Sequence, residues 1–373
     1  MKKKILFISN ITNRITNFSL PSILVSHELD YEFHLAANLS DFKDDPTKYN
    51  IKIHHIDIAR NPLNPNNIKA YKQMITLIKK EKFDAIHCNT PVGGLLGRIC
   101  GRKAKIPKII YTVHGFHFYK GASLINRTLF KLAETWMAHY TDAIITINKE
   151  DYQAAMRFKL RNGGRVYYLP GVGVDTSLNK KVNQMREKLL QELNIKEPAI
   201  LLISVGELNK NKNNKVIIHA LGKLKNPKLH YILCGRGDKK DELVSLVKEN
   251  ELESNVHFLG YRNDIPQLLK LSDIFIMPSY REGLSRSIME AMGMGLPCIV
   301  SSIRGNVDLI EEEKGGYLSN PDDIERFAQV IDILAGNENL RNNLGKFNLN
   351  KVKQFDIKNV REELKKVYME ELM

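Results

Sequence analysis

Short β-rich runs alternate with helical stretches along the whole of this sequence, and that alternation restricts the chain to parallel sheets flanked by helices. The first half carries strand signals at Lys4 to Ser9, Tyr31 to Ala36, Ile51 to Asp57, Asp84 to Cys88, Lys108 to Val113, Asp142 to Thr146 and Val166 to Leu169. Helical stretches fall between them, most clearly at Ile68 to Glu81, Leu124 to His139 and Lys149 to Phe158. After Leu169 comes PGVGVD, whose proline and glycines mark a turn or linker. A second alternation starts at Pro198, with strands near Ile200 to Val205, Leu229 to Cys234, Asn255 to Leu259, Ile274 to Met277 and Cys298 to Ser301. The chain ends on a charged amphipathic helix, Ile357 to Leu372. At 373 residues it exceeds what one hydrophobic core usually organises. Two doubly wound domains are therefore expected, with a boundary at residues 172/173 and ligands at the carboxyl ends of the strands.

The opening MKKKILFIS has only Ile5 to Ile8 as its apolar stretch and reads as a first strand, not a leader. No apolar run approaches the ~20 residues needed to cross a bilayer. Cys88, Cys100, Cys234 and Cys298 lack metal-ligand or redox spacing and are expected as reduced core residues of a cytoplasmic protein. Net charge is +14, and residues 1 to 175 hold 26 Lys/Arg against 14 Asp/Glu, so nearly all the excess lies in the first half. Such a half suits an anionic partner. An anionic membrane surface is the expected one, touched by the aromatic-rich region Tyr111 to Arg127 and by Arg98, Arg102, Lys103 and Lys105. No aromatic-and-basic module of the nucleic-acid type is visible, so nucleic acid is not expected as a partner.

The densest chemical signal is PSYREGLSRSIMEAMGMGLP, Pro278 to Pro297. It sets Glu282 in a loop and Glu290 eight positions later, on the helix that the loop opens. A loop entering a helix at Gly283 presents free N–H groups and the positive end of the helix dipole, the arrangement that holds phosphate. Carboxylates beside it are badly placed to grip an anion and well placed to accept from sugar hydroxyls. Together they suggest a nucleotide sugar.

This stretch, with LSDIFIMPS before it and GLPCIVSSIRGNVDLI after it, resembles the E-x7-E signature of retaining GT-B glycosyltransferases, in particular glycosyltransferase family 4. The resemblance implies two Rossmann-like domains facing a central cleft. Residues 1–172, with helix 357–372 packing back on them, would bind the acceptor, and residues 173–356 the nucleotide sugar. It further implies that Glu290 holds the ribose, that Glu282 holds hydroxyls of the transferred sugar, and that N–H groups of Gly283, Leu284 and Ser285 bind the distal phosphate. GELNKNKN, after Val205, is similar to the family's G-R-L-x-x-x-K-G segment. Lys212 falls at its lysine, but Glu207 stands where relatives carry arginine and cannot pair with phosphate. Arg281 or Arg286 is expected to help Lys212. CGRGD, with Gly235, is expected to line the nucleotide pocket or to form a simple tight turn. Backbone groups near Tyr261 and Arg262 would meet the base. In TVHGFHFYK, His114 matches the histidine that relatives place beside the donor sugar, Phe116 is expected on the acceptor side, and His117 in packing. Near the start, SNITNRITNF lacks the paired glycines that some relatives use for an acceptor's phosphate, with Asn10, Arg14 and Asn17 as substitutes.

No Asp-x-Asp triplet is present and no third ligand accompanies His114 and His117, so neither a metal nor a cofactor is expected. The implied reaction is transfer from a UDP-sugar to a hydroxyl of a polyprenyl-diphosphate-linked glycan in surface polysaccharide synthesis. The enzyme would be peripheral on the cytoplasmic membrane face. Two rivals are a GT-B nucleotide-sugar epimerase and a catalytically silent nucleotide-sugar-binding subunit, with Glu207 as a sign of decay.

Overall fold

The apolar runs become strands buried on both faces, as parallel sheets require. Ile5, Leu6, Phe7 and Ile8 are all at most 2% exposed. A computed structural model describes residues 2–177 and 186–373 and separates the chain into two units, Met1–Gly173 with Ile357–Met373, and Val174–Asp356.

The first unit holds strands β1 (Lys3–Ile11), β2 (Tyr31–Asn38), β3 (Lys52–His55), β4 (Ala85–Asn89), β5 (Lys108–Val113), β6 (Ala143–Thr146) and β7 (Arg165–Tyr168). They form a parallel sheet in the order β3-β2-β1-β4-β5-β6-β7. The second holds β8 (Ile200–Val205), β9 (Leu229–Cys234), β10 (Val256–Gly260), β11 (Ile274–Met277), β12 (Cys298–Ser301) and β13 (Gly316–Ser319). Their parallel order is β10-β9-β8-β11-β12-β13. Each sheet reverses its direction of winding at one place, between β1 and β4 and between β8 and β11. The carboxyl ends of strands at such switch points are where open α/β sheets bind ligands.

Strand β13 has no counterpart in the sequence reading. Its four residues, GYLS, open on Gly316, where a Cβ would lie 1.8 Å from the Cys298 carbonyl oxygen. A run this short and glycine-led carries too little periodicity to register as a strand.

The helix Ile357–Leu372 belongs to the first unit. Leu364, Val367, Tyr368 and Leu372 enter the apolar cluster built by Phe7, Phe33 and Ile110 on one face of the sheet, each such side chain contributing ~1.5–3 kcal/mol on full burial. Lys108 pairs with Glu371 at 3.0 Å, and the Tyr31 hydroxyl donates to the Leu372 carbonyl at 2.7 Å. The chain leaves this unit at Gly173, where φ is +79° and a Cβ would sit 2.7 Å from the Ile357 Cα. Only glycine lets the outgoing and returning segments pass so closely.

All four cysteines are buried and unpaired with one another. The basic patch expected on the first unit loses one member. Arg98 is 1% exposed, stacks on the Tyr111 ring at 3.9 Å and pairs with Glu134 at 2.8 Å, so it cannot meet a membrane. Among the described residues no helix is long and apolar enough to cross one.

Candidate active site

At the switch point of the second sheet, β8 runs into the loop Gly206 to Asn214 and β11 into the loop Pro278 to Ser285. The two loops are tied together. The Tyr280 N–H donates to the Asn211 carbonyl (2.8 Å), the Asn211 amide to the Arg281 carbonyl (2.9 Å), and the Asn213 amide to the Pro278 and Pro321 carbonyls (3.3 and 2.7 Å). This lacing brings Lys212 Nζ to 2.7 Å from Glu282 Oε1, with the two side chains only 20% and 13% exposed. From the next strand, Gly235 packs against the same loop, and a Cβ there would lie 1.8 Å from the Gly206 carbonyl oxygen. The Leu208 N–H bonds the Arg236 carbonyl at 2.9 Å. Glu207 stays exposed and accepts from the Asn209 amide.

The helix Arg286–Gly293 starts with no side-chain cap. Ser285, at the capping position, turns its hydroxyl to Met277 Sδ (3.3 Å) and Ser287 Oγ (3.2 Å). The first turn therefore presents backbone N–H groups that its own cap does not close. One turn on, Glu290 Oε1 accepts from Arg286 Nε at 2.8 Å. Burial pushes the Glu290 carboxyl above the usual range, and Arg286 offsets part of that rise. Arg286, expected to assist at the phosphates, is thus engaged with Glu290. A residue that sequence reasoning missed is Arg304, 6% exposed, which donates to the Glu282 carbonyl at 3.3 Å. Its only signal was an arginine three residues past β12, in the loop SSIRG.

At the end of β10, Tyr261 is 69% exposed. The Arg262 guanidinium is held by Asp264 (2.8 and 2.7 Å) and Glu192 (2.9 Å), which leaves its backbone, not its side chain, for a ligand.

In the first unit the switch point gathers the ends of β1, β4 and β5. His114 follows β5, and its Nε2 lies 2.9 Å from Asn89 Oδ1 at the end of β4. Burial pushes the imidazole down to about 4, so it is uncharged at neutral pH. Asn89 Oδ1 then accepts from Nε2–H, and Nδ1 is left as an acceptor. Neither His114 Nδ1 nor Asn89 Nδ2 has a hydrogen-bond partner among the described residues, although both atoms are buried. Buried polar atoms are normally satisfied, and this pair leaves one acceptor and one donor open side by side, able to meet a hydroxyl group. Phe18 meets the imidazole edge-on at 5.0 Å, and Asn17, Val360 and Leu364 line the same pocket. Beneath it, His87 bridges Thr112 Oγ1 (2.7 Å) and the Tyr368 hydroxyl (2.6 Å), which ties the pocket floor to the C-terminal helix.

Other expected residues have different surroundings. Asn10 Oδ1 is occupied, accepting from Thr90 Oγ1 (2.7 Å) and the Gly93 N–H (2.5 Å) at the start of the helix Pro91–Lys103. It holds Thr90 at φ +64°, a region other residues avoid. Asn17 donates to the Gly173 carbonyl at 3.3 Å, and Arg14 is exposed. Phe116 does not face an acceptor. It is 2% exposed and packs against Phe118 and Phe158, because the tight turn after β5 folds it back into the core. His117 lies against Phe130 with ring centres 5.0 Å apart.

Residues 185–351 match the profile of the Glycosyl transferases group 1 family, and residues 4–148 that of Glycosyl transferase 4-like domains. EpsD of Bacillus subtilis (strain 168) is 34% identical over 373 residues, spanning 99% of this chain and 97% of the relative. The UDP-Gal:alpha-D-GlcNAc-diphosphoundecaprenol alpha-1,3-galactosyltransferase of Escherichia coli is 31% identical over 284 residues, 74% of this chain and 72% of that one. The chain belongs to the group 1 glycosyltransferases. HepE from Anabaena, solved in complex with UDP-glucose, superposes on this glycosyltransferase with a TM-score of 0.78 at 20% identity, covering 98% of this chain and 99% of that one. Two parallel-sheet Rossmann-like units are the GT-B architecture.

Proposed function

We propose that this glycosyltransferase moves a sugar from a UDP-sugar to a hydroxyl of a glycan carried on a polyprenyl diphosphate, with the anomeric configuration retained, in surface polysaccharide synthesis. The observation that carries the reading is the contact of Lys212 with Glu282 beside the uncapped start of the helix Arg286–Gly293. A diphosphate entering there exchanges one partner for another. Lys212 turns from Glu282 to a phosphate oxygen, the loop N–H groups at Gly283, Leu284 and Ser285, just before the helix, receive the distal phosphate, and Glu282 is freed to accept from hydroxyls of the transferred sugar. Glu290 accepts from the ribose hydroxyls. His114 Nδ1, neutral and unpartnered, accepts from a hydroxyl of the reacting sugars.

In the transfer, the bond from the anomeric carbon to the diphosphate breaks while a bond to the acceptor oxygen forms on the same face, and the acceptor proton passes to the departing phosphate oxygen. Positioning and charge stabilisation suffice for such a step. Support comes from the names of similar proteins, one a galactosyltransferase using UDP-Gal and a diphosphoundecaprenol-linked acceptor, another solved with UDP-glucose.

The test is incubation with a panel of UDP-sugars, with and without a polyprenyl-diphosphate-linked glycan. UDP release that depends on the acceptor, and an α-linked product from an α-linked donor by NMR, are the expected results. An epimerised nucleotide sugar formed without acceptor, an inverted linkage, or no UDP release across the panel overturns the proposal.

A further inference from the structure

Strands β11 and β12 are neighbours, paired through Met277 and Val300, so the loops that leave them run side by side. The first loop carries Glu282, Gly283 and Leu284, the second Arg304 and Gly305. Arg304 is 6% exposed, and its Nε donates to the Glu282 carbonyl at 3.3 Å. Gly305, at φ +79°, packs so closely on the next carbonyl that a Cβ there would lie 2.0 Å from the Gly283 oxygen. Such a φ and such an approach both call for glycine. Asn306, fully buried, ties the second loop back to its strand by donating to the Ser301 carbonyl at 3.1 Å. Two successive carbonyls of the Glu282 loop are thus held by two successive residues of its neighbour.

In a trans peptide the carbonyl and the N–H of the following residue lie in one plane and point to opposite sides. The direction of the Glu282 carbonyl therefore fixes that of the Gly283 N–H, and the Gly283 carbonyl fixes the Leu284 N–H. With both carbonyls held against the loop that follows β12, both N–H groups are turned away from it. A donor on a carbonyl also polarises its peptide, so the guanidinium on the Glu282 carbonyl strengthens the Gly283 N–H as a donor in turn. We propose that Arg304 and Gly305 are positioning residues for the distal phosphate of the nucleotide sugar: they aim the Gly283 and Leu284 N–H groups at it, and Arg304 strengthens the first of them. This role rests on the proposed function, which brings the phosphate to these N–H groups. The place of the phosphate does not depend on the helix start alone, because the ammonium of Lys212 stands at the same loop, 2.7 Å from Glu282 Oε1.

Calorimetry of the intact enzyme with UDP, UMP and uridine isolates the effect, because only UDP carries the distal phosphate. Arg304→Gln should weaken UDP about tenfold and leave UMP and uridine within about twofold of wild type. Arg304→Lys, which keeps a charged donor, should recover part of the loss. Gly305→Ala should give the same selective loss, since the new Cβ must displace the Gly283 carbonyl. A role confined to folding would instead lower the melting temperature and weaken all three ligands alike, and that result overturns the proposal. Should either variant prove unfolded, the wild type still decides. With glycine-selective ¹⁵N labelling, the Gly283 amide resonance, assigned by its loss in Gly283→Ala, should move downfield on adding UDP and stay in place with UMP. An unmoved resonance overturns the proposal. Wild type binding UDP no better than UMP would overturn the phosphate reading of this loop and the positioning role with it; a preference for UDP that survives both Arg304→Gln and Gly305→Ala overturns the positioning role alone.

Discussion

The two switch points solve the same problem in opposite ways. In the second unit three cations near the strand ends are matched internally: Lys212 with Glu282, Arg286 with Glu290, Arg262 with Asp264 and Glu192. In the first, the imidazole of His114 and the amide of Asn89 satisfy each other through one bond and leave Nδ1 and Nδ2 open. A ligand of the second unit must therefore replace ion pairs and bring charge of its own to do so. A ligand of the first meets hydrogen-bond capacity that costs nothing to release and carries no charge, as a sugar hydroxyl requires. Removing a side chain should strand a charge in the second unit and an uncharged polar group in the first.

The largest expected effect is at the Lys212–Glu282 pair. Loss of a preorganised group that stabilises transition-state charge costs ~10²–10³-fold in turnover, and Lys212→Ala should fall in that range in kcat for UDP release. Glu282→Ala should slow transfer by a similar factor with a smaller change in UDP affinity. The double variant should be less impaired than the two single losses multiplied, since each single change strands a largely buried charge. Additive losses would show that the pair seen without ligand has no bearing on the reaction.

Glu290→Ala comes next. Paired hydrogen bonds to a charged acceptor are worth ~1.5–3 kcal/mol, so UDP should bind ~10–100-fold more weakly by calorimetry. Equal affinity for variant and wild type would remove Glu290 from the ribose.

For the first unit, Asn89→Ala and His114→Ala should each lower turnover by about tenfold and cost ~1–3 kcal/mol in urea stability, because the Nε2–Oδ1 bond is lost and one buried partner is left unsatisfied. Asn89→Asp sharpens the point. A carboxylate beside Nε2 favours the imidazolium, which cannot accept at Nδ1, so the acid limb of the pH–rate profile should move up in pH.

Burial also couples this pocket to acid stability. His87 is pushed down to about 3 and His114 to about 4, both by burial, from an ordinary 6.5. Above 6.5 neither folded nor unfolded chain holds these protons. Between 6.5 and about 4 only the unfolded chain binds them, so stability should fall as pH drops, by ~1.4 kcal/mol per pH unit for each histidine. Urea unfolding at pH 7 and pH 5 measures the slope, and His87→Gln should flatten it.

The smallest expected effect is none. Excess EDTA should leave transfer unchanged, because the proposed partners of the diphosphate are Lys212 and the N–H groups of Gly283, Leu284 and Ser285; loss restored by Mn²⁺ or Mg²⁺ would refute that assignment.

Much of the second unit's site was visible in the sequence because its chemistry sits in two short loops. Glu282 and Glu290 share one loop and helix, and Lys212 one strand end, so spacing and glycine placement reveal them. The first unit was harder. Asn89 and His114 are 25 positions apart, and Asn10 reaches Gly93 across 83. Nothing local distinguishes Asn89 from any other strand-end asparagine until β4 is known to lie between β1 and β5. Phe116 misled for the same reason, since an aromatic after a strand can turn outward or inward. The charge excess pointed to a membrane, yet Arg98 is buried, and the outward face of the helix Leu124–Ala138 is apolar.

The sequence by itself determined the alternation of strands and helices, two parallel-sheet units and the carboxylate–glycine–helix segment. Those depend on periodicity, on chain length and on backbone preferences acting within a few residues. The tertiary structure alone decided which side chains pair and which are left open, because parallel strands adjacent in a sheet are separated in the chain by whole crossovers. Strand order, not spacing, set Lys212 against Glu282 and Asn89 against His114, and with them the difference between a switch point whose charges are paired and one whose buried polar atoms are left open.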